Sequence, residues 1–107
     1  MDTAKNQYLA SRAQVFKAMG HPTRLAIIDE LNSGPKCVND LKGVIESDMS
    51  TVSRHLSVLR NAGLVSSEKR GNQVFYTLLC PCVTTFYACV ESVLTGSRGV
   101  IQLDPPK

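Results

Sequence analysis

Two groups of residues in this 107-residue chain have the types and spacing to do chemistry. The first is the run from Ser50 to Val65. At helical spacing Val52, Leu56 and Leu59 fall on one apolar stripe. Ser50, Thr51, Ser53, Arg54 and Ser57 fall opposite it, as short hydroxyls around one long cation. Such a face enters a major groove without steric bulk and reaches both phosphates and base edges. His55, inside the same run, is expected to bond DNA or backbone. The second group is the four cysteines, Cys37, Cys80, Cys82 and Cys89. Reduced thiols in a small chain bind soft metals, cycle between redox states or pack as small apolar groups. Three thiolates in a pyramid suit trivalent arsenic, and thiolates in general suit softer ions over harder ones.

The flanking residues show which elements must hold these groups. Asp48 stands at the N-cap position of the Ser50 helix, where its carboxylate takes up free N–H groups of the first turn. Ala62-Gly63 ends that helix, because glycine accepts the left-handed backbone of a C-cap. Val65-Ser-Ser and Val74-Phe-Tyr-Thr-Leu78 alternate apolar and polar residues, as half-buried strands do. Gly71-Asn72 between them can make a tight hairpin turn. Lys69 and Arg70 at its tip would meet phosphates beside the groove. A shorter helix from Cys37 to Ile45, with Val38, Leu41 and Val44 or Ile45 facing inward, precedes the turn Glu46-Ser-Asp48. Helix, turn, helix and cationic hairpin together make a winged helix-turn-helix.

Further upstream, Thr3 to Met19 reads as a helix with Leu9, Ala13, Phe16 and Met19 on one side. Gly20-His-Pro22 breaks it, and Pro22 suits the first turn of the next helix. Leu25, Ile28 and Leu31 face inward along that helix, which stops at Asn32-Ser-Gly-Pro35. Cys80-Pro-Cys82 opens a last helix running to about Thr95. The expected fold is mainly α with a small β-hairpin. Residues 1–95 form one DNA-binding and dimerisation domain, and residues 96–107 form a flexible tail.

The formal charge is only +3, so the position of the cations matters more than their total. The polar N-terminus has no signal-peptide pattern and no apolar run spans a bilayer, so the expected location is the cytoplasm, with no membrane partner. There thiols stay reduced, and a disulfide framework is not expected.

Three segments, His21 to Ile28, Ser50 to Val65 and Lys69 to Tyr76, closely resemble the ArsR/SmtB family of winged-helix metal-sensing repressors. The likeness runs from about Gln14 to Val93. It implies a homodimer, joined mainly through its first and last helices, that binds a palindromic operator in double-stranded DNA and leaves it when an inducer binds. Cys37-Val-Asn-Asp-Leu41 looks like the Cys-Val-Cys-Asp-Leu motif of the family's arsenic, cadmium and lead sensors, but Asn39 replaces the second thiol. Cys80 and Cys82 fall where the family's zinc sensors place Asp and His ligands. The remaining ligands of that zinc site would fall near Val93 and Gly96, so it is absent.

The expected inducer is arsenite, with Cd(II) or Pb(II) as alternatives, and no permanent cofactor is expected. The favoured site uses Cys82 and Cys89, with Cys37 or Cys80 as the third thiolate. Cys82 and Cys89 share a helix face but stand about 10 Å apart along a straight axis. Either the first turn unwinds after Pro81, or Cys37 completes the site, or Cys89 comes from the other protomer. Two rivals keep the fold: a thiol-redox or sulfide-responsive repressor, and a constitutive DNA-binding protein with packing cysteines. An enzyme is not expected. His21 and His55 have no cysteine beside them to activate, and the glycines are too isolated for a phosphate loop.

Overall fold

The structure is a computed structural model that describes residues 2–96. The element order is α1 (Thr3–Met19), α2 (Pro22–Leu31), β1 (Lys36–Cys37), α3 (Val38–Ile45), α4 (Met49–Asn61), β2 (Val65–Arg70), β3 (Gln73–Leu78) and α5 (Cys82–Thr95). The expected tail begins at Gly96, which caps α5 with a φ of 70°; the rest of that tail lies outside the described residues. Among the described residues no helix is long and apolar enough to cross a membrane.

Helices α2, α3 and α4 converge on one core. Ile27, Ile28, Leu41, Val52, Leu56 and Leu59 are fully buried there. Leu25, expected inward, is half-buried, and Ile27, not among the expected inward residues, is buried. At the end of α3 the core takes Ile45, while Val44 stays exposed. Helix α4 starts where expected: the Asp48 carboxylate accepts the Thr51 N–H at 2.7 Å. Its end is also as expected. Ala62 is the C-cap, and Gly63 follows with a φ of 83°.

The hairpin strands pair from Val65 with Leu78 to Arg70 with Gln73. Gly71 alone takes a positive φ, 65°, at the first position of the two-residue turn. The sheet has a third strand that the sequence did not announce. β1 adds to β3 through Lys36–Tyr76 and Cys37–Phe75, giving the order β1-β3-β2. Two residues leave no alternation to read, and only pairing with β3 makes them a strand.

The outer helices are different. In α1 only Ala18 is buried, and in α5 only Val83. Phe16 on α1 is 60% exposed and meets Phe86 of α5 edge to face at 6.5 Å between ring centroids. Tyr8, Leu9, Val90, Val93 and Leu94 extend this apolar face across both helices. Tyr87, on the inner side of α5, packs against the core beside Asp29 of α2. Burial and that neighbouring carboxylate push its hydroxyl pKa up to about 12.

Glu46 ends α3 with a φ of 58°, the left-handed conformation, in the turn before α4. A side chain there costs energy that glycine does not. Glu46→Gly should therefore raise stability by about 1 kcal/mol in urea unfolding. A loss of stability would show that the Glu46 side chain compensates its backbone.

Candidate nucleic-acid interface and thiol pair

Capping sets the start of α4. Besides accepting the Thr51 N–H, the Asp48 carboxylate accepts the Ser50 hydroxyl at 2.9 Å. These bonds hold the Asp48 carboxyl below the usual carboxylate range. With Val52, Leu56 and Leu59 buried, Ser50 and Arg54 are exposed and Thr51, Ser53 and Ser57 are half-buried. The hydroxyl-and-cation face is therefore presented outward along one side of α4.

His55 does not share that face. Its ring lies 4.5 Å from the ring of His21, and its Nδ1 lies 3.3 Å from Arg24 Nη1. The sequence did hold the signal. His55 is three residues after Val52 and four before Leu59, so it belongs with the inward-facing positions. His21 caps α2, accepting the Thr23 N–H at 3.0 Å, which is the turn-and-cap role its place before Pro22 suggests.

The hairpin extends from the end of α4. Arg60 Nη1 donates to the Ser67 hydroxyl at 3.4 Å, joining the helix to β2. Lys69 and Arg70 are exposed near the turn. Arg70 is already engaged: its guanidinium lies 5.0 Å from the centre of the Phe75 ring and 3.3 Å from the Glu68 carboxylate. Phe75 and Glu68 are cross-strand partners, so the sheet register builds this bracket. Glu68, two residues before Arg70 on the same strand, is thus the partner of a wing cation.

The cysteines fall into two environments. Cys37 is 5% exposed and is the N-cap of α3, its N–H donating to Asp40 Oδ2 at 3.0 Å. That bond and the neighbouring thiol lower the Asp40 pKa. Cys80 and Cys82 lie together at the head of α5, their sulfurs 2.9 Å apart. Cys80 is packed against the core and Cys82 is exposed. A disulfide is about 2.05 Å long, so these are free thiols in contact. The Cys82 contact, then burial, pushes the Cys80 thiol up. Both sulfurs can reach one soft ion, since metal–thiolate bonds are about 2.3 Å.

Cys89 is exposed further along α5. The helix is regular from Cys82, so no unwound turn after Pro81 brings Cys89 back to Cys82. Among the described residues no three Cys, His, Asp or Glu side chains of one chain gather at a metal-sized site. The structure thus brings together Cys80 and Cys82 of the expected set, and neither Cys37 nor Cys89 of the same chain joins them.

Residues 21–67 match the model of a family described as bacterial regulatory protein, arsR family. The chain is 38% identical over 79 residues to the arsenical resistance operon repressor of Bacillus subtilis, covering 73% of this chain and 75% of that one. It is 40% identical over 73 residues to the HTH-type transcriptional regulator NmtR of Mycobacterium tuberculosis. That match covers 68% of this chain but only 61% of NmtR. Among solved structures, the homodimeric winged helix-turn-helix DNA-binding domain of Mb0332 from Mycobacterium bovis superposes with a TM-score of 0.75 at 27% identity, covering 89% of this chain and 88% of that one. The winged helix-turn-helix and the sequence matches agree, and the chain belongs to the arsR family of bacterial regulatory proteins.

Proposed function

We propose that the protein is a transcriptional repressor that binds operator DNA as a homodimer and releases it when arsenite bonds the thiols at the head of α5. The observation that carries the inducer site is the Cys80–Cys82 pair, with sulfurs already 2.9 Å apart. A third thiolate for trivalent arsenic comes from the partner subunit's Cys89, because the same chain supplies none at that place. Cd(II) and Pb(II) are the softer divalent ions the pair would also accept. Resemblance to a repressor named for arsenical resistance supports the same choice.

The DNA-facing surface is the exposed side of α4, with Ser50, Thr51, Ser53, Arg54 and Ser57 at the groove and Lys69 and Arg70 on flanking phosphates. The open apolar face of α1 and α5 supports a partner protomer there, as does the homodimeric state of the Mb0332 domain. A two-fold dimer places two copies of α4 on one side of the duplex. Bonds to Cys80 and Cys82 act at the junction of β3 with α5, between the wing and this interface. Inducer binding releases DNA only if the DNA-incompetent dimer binds it better.

The same contact favours one second reading. Two touching thiols can lose two electrons and two protons to an oxidant and close a disulfide. That reading requires release by oxidant and recovery by reductant alone.

Arg54→Ala should cost about 1–3 kcal/mol of operator affinity and relax the preference at one base pair if Arg54 reads a guanine. An unchanged base preference assigns Arg54 to the backbone. Fluorescence anisotropy of the reduced protein, kept anaerobic on DNA from upstream of its own gene, tests the inducer. Release near one equivalent of arsenite per site is expected, with Cys82→Ser still bound at the same arsenite concentration. Equal release of Cys82→Ser would remove the pair from the site.

A further inference from the structure

One half-buried polar cluster is used by neither the groove face nor the thiol pair. It lies where α1 ends, α2 begins and α4 passes by. Arg24, in the first turns of α2, donates from Nε to the Ala18 carbonyl and from Nη2 to the Lys17 carbonyl at 3.4 Å. Those carbonyls belong to the last turn of α1, where a cation is favoured, and that of Lys17 also accepts the Gly20 N–H at 3.2 Å. The third arm, Nη1, reaches His55 Nδ1 on α4 at 3.3 Å. One rigid, planar guanidinium therefore joins the outer helix α1 to the helix that carries Arg54.

The chemistry of that third contact is restrictive. Arginine has donors only, so the contact needs a lone pair on His55 Nδ1. The imidazole must then be neutral, with its proton on Nε2. The charged and titratable groups acting on His55 are His21 at the N-cap of α2, Arg24 of α2 and Arg54 of α4 itself. α1 presents the carbonyls of Lys17 and Ala18 to the same guanidinium. Each group acting on His55 is a cation or can become one. Partial burial first, then these cations, depress its pKa below the ordinary 6.5.

We propose that Arg24 and neutral His55 form a strut that fixes the rotation of the recognition helix against the α1–α2 corner, so that His55 positions α4 for DNA without touching it. This rests on the repressor reading above. Protonated His55 cannot accept from Arg24 and is repelled by it, so acid opens the strut. The sign follows from the depressed pKa: the strut's contribution is whole above about pH 6.5 and is lost as pH falls through the lower folded value. A histidine that met DNA directly would behave in the opposite sense, because its protonation adds a cation against phosphate.

Operator affinity measured by anisotropy from about pH 7.5 to about pH 5.5 separates the two. The strut predicts that the unmodified protein loses operator affinity toward the acid end, because protonating either His55 of the dimer opens its strut. In His55→Asn the amide oxygen takes the place of Nδ1 and cannot titrate, so that variant should bind with a nearly flat profile. His55→Ala should bind weakly across the whole range. Tighter binding in acid, lost in His55→Asn, would overturn the strut and make His55 a phosphate contact. Identical profiles for the unmodified protein and His55→Asn would also overturn it. An NMR titration of His55 in the free protein needs no DNA: Arg24→Gln should raise its pKa toward the ordinary value, and an unchanged pKa overturns the strut. A raised pKa in a protein that binds no operator at any pH would support the strut and count against the repressor.

Discussion

The rotation of α4 is the constraint on which the rest depends. Val52, Leu56 and Leu59 have no exposed surface, and they pack on Ile27, Ile28 and Leu41 of the neighbouring helices. Burying each such leucine contributes roughly 1.5–3 kcal/mol, so turning the helix would cost several of these at once. With that side fixed, Ser53, Arg54 and Ser57 have one direction left to face. Asp48 at the start, Gly63 at the end and Arg60 bonded to Ser67 then fix the helix along its length and relative to the wing.

A second constraint runs through the outer helices. One chain cannot cover the apolar faces of α1 and α5, and a chain this size has little core to spare. The thiol pair sits at the head of α5, so the two touching sulfurs and the uncovered apolar face share a single helix. Tyr87 and Asp29 pack that helix against α2, and Arg24 of α2 contacts α4. In the proposed function, the effect of a ligand at the head of α5 on DNA is bounded by the difference in its affinity for the two states of the dimer.

The helix-turn-helix was legible because its signals are local. An N-cap carboxylate, an i, i+4, i+7 stripe and a glycine after the last turn all act within one element. The hairpin was legible for the same reason. β1 was not, because two residues become a strand only by meeting β3. His55, expected to bond DNA or backbone, carries the spacing from Val52 and Leu59 of the inward side, where it meets His21 and Arg24. The cysteine trio was the hardest to read. Sequence spacing places Cys82 and Cys89 on one helix face, but it cannot say which thiols meet. The contact that forms is between Cys80 and Cys82, across a proline that breaks the helical spacing.

In the proposed function the α5 thiols and the operator compete through one conformational equilibrium, which linkage makes measurable from the side of the inducer. The direct measurement is anaerobic arsenite affinity of the reduced dimer, free and then saturated with operator. Arsenite should bind more weakly on DNA, by the same factor by which arsenite weakens operator binding. Equal arsenite affinity in both states would contradict it, because a ligand that does not distinguish the two states cannot release the operator.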